Sequence, residues 1–392
     1  MTREPTEVTP PRGFPVVGMV GGGQLARMTQ QAAIALGIGF TVLAARPDDS
    51  AARVVRDVVV GDPDDPEALA MFGRLCDVVT FDHEQVPEPG LTALATTDAA
   101  IRPGPGALAH AQDKIVMRQA LTDLGAPCPA WLEWGPDTTV AQVAAHVGWP
   151  AVVKTSRGGY DGRGVWVVAD AEELGEVLAQ PLAPGARWLI EQYVPFTAEL
   201  SAQVARLPHG QAVAYPVVRT VQSDGICKEV VAPAPDLDPD TALAAQELAL
   251  RIAGELDVVG MLAVEMFATE HGVLVNELAM RPHNSGHWSI EGAVTSQFEN
   301  HLRAVLDLPL GDPRPVARWT VMVNVLGGDH PDMYRAYRHV MARDPDLHVH
   351  MYGKDVRPGR KIGHVTVSGD DLDDLLERAR HAADYLTGVV VE

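Results

Sequence analysis

From Val16 onward, short apolar runs alternate with segments whose apolar positions recur at helical spacing. The pattern predicts a strand over Val16 to Val20, a glycine turn, a helix over Gln24 to Leu36, a strand over Phe40 to Ala44, and strands around Val58 and Val78. Alternation of this kind forms a parallel α/β sheet. The cluster Pro103-Gly104-Pro105-Gly106 punctuates its end, and a helical segment from Asp113 to Leu124 opens a new domain. Between Trp131 and Val204, a short helix, a glycine-rich hairpin, a helix near Glu172 to Leu178 and a strand over Trp188 to Tyr193 read as a compact α+β unit able to move as a lid. A third block holds a helix over Asp240 to Glu255, apolar runs over Val258 to Phe267 and Val273 to Leu278, and helical spacing over Ser296 to Leu306. The tail from Trp319 reads as strands and two helices packed on the rest. The expected divisions are 1–108, 109–315 with the lid at about 130–204, and a small C-terminal domain over 316–392. The class is α/β and α+β.

The lid hairpin carries the first chemistry. In KTSRGGYDGRG an apolar strand ends at Lys154, and Gly158, Gly159 and Gly162 form the tip before the return strand Val165 to Val168. Glycines let backbone N–H groups approach anionic oxygens, and a lysine fixed at the strand end adds a point charge beside them. Tyr160, Asp161 and Arg163 stand at the mouth. An ordinary mobile hairpin has the same composition, so other segments must decide.

Composition narrows the ligand. A net charge of −21 repels nucleic acid and anionic membranes, so a phosphate site must be a local basic pocket for a small anion. Three scattered cysteines argue against a disulfide framework or a cysteine-built zinc site and point to a reducing cytoplasm. No apolar signal-peptide core is read in the first dozen residues, and no run approaches ~18 uninterrupted apolar residues.

A second signal lies in GMLAVEMFATEHGVLVNELA, which reads as an antiparallel hairpin turning at His271-Gly272. With the turn centred on His271, Glu265 and Glu277 stand directly opposite on one face. Facing carboxylates cost energy unless a cation sits between them, and a sparse oxygen site suits Mg²⁺ carried by a nucleotide. Asn276 adds a further oxygen. A slipped register would instead turn both glutamates to solvent.

A rival reading comes from Gly21-Gly22-Gly23-Gln24-Leu25-Ala26, which fits the G-x-G-x-x-A dinucleotide fingerprint. The acidic ribose partner is missing, since Ala44, Ala45 and Arg46 end the second strand. That disfavours NAD and leaves an NADP-dependent oxidoreductase as an alternative, ranked below an ATP-dependent ligase. The glycines could equally let a helix N-terminus bind some other phosphate or a carboxylate. A non-catalytic binding protein is a third class, separated by whether ATP is turned over.

Taken together, GGGQLARM, TFDHEQV, KTSRGGYDGRG, EQYV, NELAMRPHNSGHW and RPGRKIGH resemble one family over roughly Val16 to Val390. They resemble the 5-(carboxyamino)imidazole ribonucleotide synthases, ATP-grasp enzymes of bacterial and fungal purine synthesis. The resemblance implies an ATP-grasp fold with an N-terminal pre-ATP-grasp Rossmann-like domain and a small C-terminal domain. It also implies ATP and Mg²⁺ as cofactors, bicarbonate and aminoimidazole ribonucleotide as substrates, and a homodimer. The alternative within the superfamily is a formate-using glycinamide ribonucleotide transformylase, expected to lack HNSGHW followed by GRK-GH.

By position, the resemblance assigns Lys114, Lys154 and the loop Gly159, Tyr160, Asp161, Gly162, Arg163 and Gly164 to the phosphates. Glu191, Gln192 and the Val194 backbone go to adenine, Glu199 to the ribose, Gln222 and Asn276 to the nucleotide, and Glu265 and Glu277 to magnesium. Arg281, His283 and Asn284 form the bicarbonate pocket. Gln24, Glu84, Tyr160, Asp161, Arg163, Arg360 and Lys361 surround the ribonucleotide, with Asp161 and Lys361 meeting over its amine. Two departures stand out. Gln222 occupies a position where many members have histidine, and TFDHEQV replaces the more usual TFEFE, leaving Glu84 the better match and the role of Asp82 open.

Overall fold

Five short strands, β1 (Val16–Val20), β2 (Gly39–Ala44), β3 (Asp57–Val60), β4 (Val78–Phe81) and β5 (Ala100–Ile101), pair in parallel in the order β3-β2-β1-β4-β5. Every residue of the central strand β1 is buried, as a sheet covered on both faces requires. The helix Gln24–Leu36 follows β1 and stops at Gly37, whose φ of 69° closes the helix in a conformation that favours glycine. The computed structural model describes residues 13–159, 163–223, 225–328 and 333–389.

A second, antiparallel sheet holds β6 (Trp131–Trp134), β7 (Ala151–Thr155), β8 (Val165–Val168) and β9 (Trp188–Gln192) in the order β6-β9-β7-β8. Val143, Leu174 and Val177 from its two helices pack on Val153 and Ile190 to give this unit a core of its own.

The third sheet is the largest. It comprises β10 (Ala198–Arg206), β11 (Ala212–Ala214), β12 (Val218–Ser223), β13 (Ile226–Ala232), β14 (Gly260–Thr269), β15 (Gly272–Ala279), β16 (Trp319–Leu326), β17 (His348–Met351) and β18 (Lys361–Gly369). The order is β15-β14-β10-β12-β13-β16-β18-β17, with β11 on β10.

Three expectations change here. Residues 198–204, read as the end of the lid, belong to β10 in the large sheet, because alternate residues Leu200, Ala202 and Val204 join the core under helix Pro239–Glu255. The tail does not merely pack on the rest, since β16 pairs with β13 from Glu229↔Val323 to Ala232↔Thr320 and continues the same sheet. The helix Gln297–Val305 sends Phe298, Leu302 and Val305 into the core of the first sheet, and its His301 Nε2 lies 2.9 Å from Thr80 Oγ1. That helix pins the parallel sheet to the large one.

Leu302 is fully buried at this junction. Leu302→Ala is expected to cost about 2–5 kcal/mol, the range for a buried leucine truncated to alanine. Urea unfolding checks this, and a shift of the midpoint worth less than ~1 kcal/mol would show that the junction contributes little.

Candidate active site

The site is built on the hairpin β14–β15. Its turn lies between Thr269 and Gly272, which pair directly, so the turn residues are Glu270 and His271 rather than a centre on His271. Continued without interruption, that register would set Asn276 opposite Glu265. A register shift beyond Val275 instead adds one residue to β15, and Glu265 pairs with Glu277. The expected opposition is present, and its cause is a bulge.

Burial first, then the facing Glu277 and neighbouring Glu199, push the Glu265 carboxyl up to about 7. Glu277 goes the other way. Burial would raise it, but Lys114, which donates to Glu277 Oε1, and Lys154 together hold it below the usual range. Burial also raises Glu199, on the neighbouring strand β10. Among the described residues, no three His, Cys, Asp or Glu side chains gather as a metal site.

Both phosphate-type lysines are held by carboxylates. Lys154 Nζ lies 2.6 Å from Glu191 Oε2 and donates to Asn276 Oδ1 at 3.2 Å. Burial pulls Lys154 below the ordinary lysine value, outweighing the Glu191 carboxylate. Glu191 also accepts from Arg118 Nε, so its side chain, expected at adenine, is committed to two cations in the interior. Burial alone would raise Glu191; Arg118 and Lys154 reverse this and hold it at about 2. Asp113 anchors the start of the Lys114 helix: it accepts from Ile115 and Val116 N–H and from Arg157 and Arg187 of the lid.

The segment after β15 carries the other cluster. Glu84, expected at the ribonucleotide, spends both oxygens on Arg281 Nε at 2.7 Å and Met280 N at 3.2 Å. It thereby fixes Arg281. His283 Nδ1 is 2.8 Å from Ser285 Oγ, and its Nε2 is 3.5 Å from Glu265 Oε1. Burial, then Arg281 and Lys361, lower His283 to about 3, so the imidazole is neutral at pH 7. Asn284 and Asn324 exchange side-chain amide hydrogen bonds at 2.8 and 3.0 Å, tying this segment to β16. Lys361, the first residue of β18, acts electrostatically on both Glu265 and His283. The structure therefore brings the C-terminal lysine to the carboxylate hairpin.

The first glycine loop has a different role from the dinucleotide reading. Asp82, just after β4, accepts from Gly23 N at 2.5 Å and Ala26 N at 3.1 Å, so a protein carboxylate already occupies the helix N-terminus. A Cβ on Gly23 would lie 2.1 Å from Asp82 Oδ2, which explains that glycine without any pyrophosphate. Arg46, which kept NADP open, is engaged by Asp49 and Asp48. The loop borders a cleft of about 250 Å³ shared with Arg53, His83, Lys354 and Arg360, and Lys354 Nζ donates to Gln24 Oε1 at 2.5 Å.

Gln192 is exposed at the end of β9, Val194 is buried just beyond it, and Gln222 sits at a register shift in β12. Gly159 and Gly164 approach each other across the loop base, where Thr155 N donates to Gly164 O, and Arg163 is the exposed residue between them and the tip. Tyr160, Asp161 and Gly162 lie outside the described residues. Sequence reading missed Arg118, Lys354, Asn324 and the stacked rings of Phe196 and Phe267 next to Glu199. Arg118 had a signal: a cation flanked three residues away on each side by buried Ile115 and Leu121.

Comparisons agree with this layout. Residues 15–112 match a ribonucleotide synthetase preATP-grasp domain, 119–298 an ATP-grasp domain, and 320–378 a phosphoribosylaminoimidazole carboxylase C-terminal domain. N5-carboxyaminoimidazole ribonucleotide synthase of Mycobacterium tuberculosis is 53% identical over 377 residues, covering 95% of this chain and 88% of that protein. The chain belongs to the N5-carboxyaminoimidazole ribonucleotide synthase family. The Corynebacterium ammoniagenes synthase is 45% identical over 95% of this chain and 92% of its own. A solved Aspergillus clavatus synthase, in complex with ADP and 5-aminoimidazole ribonucleotide, superposes with a TM-score of 0.86 at 31% identity, covering 95% of this chain and 98% of that one. The C-terminal match sets aside the transformylase alternative, and the capped glycine loop sets aside the oxidoreductase.

The Glu191 charge network gives a pH expectation. Its folded pKa of about 2 lies below the ordinary carboxyl value of 4.5, so its stabilisation is fully present above the unfolded value and is lost as pH falls from 4.5 toward 2. Glu191→Gln should flatten that acid limb by about 2 kcal/mol in denaturant titrations between pH 6 and 3. An unchanged acid limb would contradict the assignment.

Proposed function

We propose that this chain phosphorylates bicarbonate with ATP and passes the carboxyl group to the exocyclic amine of 5-aminoimidazole ribonucleotide, releasing ADP and phosphate in purine synthesis. The observation that carries the reading is the meeting of the carboxylate hairpin with Arg281, His283 and Lys361, drawn from two segments that match separate family domains.

Each group has work suited to its chemistry. Glu265 and Glu277 supply hard oxygen ligands, and a divalent magnesium ion bound with the nucleotide would relieve their repulsion and draw its remaining ligands from phosphate and water. Lys114 and Lys154 then neutralise phosphate oxygens. Arg281, held by Glu84, and the neutral His283 offer N–H donors to bicarbonate and to the charge that develops as the phosphoryl group moves. In the first step a bicarbonate oxygen forms a bond to the γ-phosphorus as the bond to ADP breaks, giving carboxyphosphate. In the second, the ribonucleotide amine bonds to the carboxyl carbon, phosphate leaves, and the amine gives up a proton. Carboxyphosphate hydrolyses readily, so the lid sheet with Gly159 and Gly164 at its loop base excludes water while the amine is held close.

The cleft beside Gln24 suits the ribonucleotide, with Lys354 and Arg360 as cations for its phosphate. Lys361 acts on the transferring carboxyl group, with Asp161 as its expected partner. The reading extends to a cytoplasmic homodimer: three scattered cysteines fit a reducing compartment, and the dimer rests on family resemblance. Among the described residues, no helix is long and apolar enough to cross a membrane.

Purified protein should release ADP rapidly only when magnesium, bicarbonate and aminoimidazole ribonucleotide are all present. Equal turnover without the ribonucleotide would sink the assignment. Glu265→Gln and Glu277→Gln should each lower turnover by about 100-fold or more with circular dichroism unchanged, whereas near-normal rates at limiting magnesium would reject the clamp. Lys361→Met should lower kcat at saturating ribonucleotide and leave ATP affinity nearly unchanged; a rise in KM alone would reduce it to a binding group.

A further inference from the structure

The bulge in β15 decides which way Glu277 points. Val273 and Val275 face the core, and so does Leu278, three residues beyond Val275 instead of the two that strand alternation requires. The extra residue lets Asn276 reach Lys154 and Glu277 reach Lys114 on the site side. In an unbroken strand Glu277 would instead enter the apolar core that holds Leu262 and Val264.

β15 is the edge strand of the large sheet, so its outward backbone groups lack ladder partners, and the bulge disturbs the ladder further. Here the segment from Arg118 to Pro127 supplies them. Arg118 Nη1 donates to Val275 O at 3.1 Å, Arg118 Nη2 to Asn276 O at 2.8 Å, and Val275 N donates to Pro127 O at 2.8 Å. The third direction of the guanidinium, through Nε, meets Glu191. Arg118 is fully buried, so it touches no substrate.

We propose that Arg118 is a positioning residue for the carboxylate clamp: its fork holds the two carbonyls of the β15 bulge and thereby keeps Glu277 opposite Glu265. This rests on the reading of that pair as the magnesium site. A planar guanidinium with five donors serves two carbonyls and a carboxylate at once, whereas the lysine ammonium is a point charge that cannot reproduce the fork.

The test compares the parent with Arg118→Lys, with the double variant Arg118→Met/Glu191→Gln, which removes one cation together with one anion, and with Glu265→Gln. ADP release is followed against free magnesium at saturating bicarbonate and ribonucleotide, alongside urea midpoints and magnesium-free ATP binding by calorimetry. Arg118→Lys and the double variant should raise half-saturating magnesium about tenfold, and in Arg118→Lys, which keeps Glu191 on Lys154, magnesium-free ATP affinity should change less than about threefold. The double variant carries the test if Arg118→Lys does not fold. An unchanged magnesium requirement in a folded variant, or failure of both to fold, overturns the positioning role and leaves Arg118 a stability residue. If Glu265→Gln also leaves the magnesium requirement unchanged, the clamp reading fails instead.

Discussion

Two carboxylates that face each other across a β-hairpin are the constraint on which the site is organised. Two part-buried carboxylates set opposite one another repel unless positive charge stands close by. Lys114 answers Glu277 directly, Lys154 stands behind it, and Glu191 in turn holds Lys154 and Arg118. The hairpin therefore dictates how the start of the Lys114 helix, the end of the lid strand β7 and the lid strand β9 must converge. Energetically it is a site poised for a cation, because any added positive charge relieves a repulsion already built in.

The same logic of occupied partners separates groups that act from groups that hold. Glu84, Asp82, Glu191 and Asp113 are carboxylates whose oxygens are consumed by backbone N–H groups or by arginine and lysine. They fix Arg281, the first glycine turn, Lys154 and the root of the lid. Around the hairpin this leaves Lys114, Lys154, Arg281, His283 and Lys361 beside the facing pair of glutamates, a set suited to phosphate and carboxyl chemistry. An acidic protein thus spends several buried carboxylates on orienting the cations of its site.

Much of this was legible in the chain. The helix Gln24–Leu36 and strands β1 and β8 match the apolar pattern to the residue because each has one period and clear glycine punctuation. The Glu265 and Glu277 opposition was legible too, though for an incomplete reason: the three-residue spacing from Val275 to Leu278 is the only sequence trace of the bulge, and alternation arguments assume it away. Glu84 and Glu191 were legible as motif positions while their partners Arg281, Arg118 and Lys154 were not, since a motif marks a position and says nothing about which group reaches the oxygen first. The pairing of β13 with β16 was illegible because it joins strands some ninety residues apart, and nothing local records which edge a strand will choose.

That pairing also bears on how the chain comes off the ribosome. Until β16 has been synthesised, β13 is an open edge rich in valine, a template for pairing with the wrong chain. The large sheet, and with it the approach of Lys361 to Glu265, is completed only when the last part of the polypeptide arrives. A nascent or truncated chain would therefore hold the hairpin with Lys114 and Lys154 while lacking the strand that carries Lys361. Only when β16 and β18 close the sheet do the hairpin, its two lysines and Lys361 stand in one site.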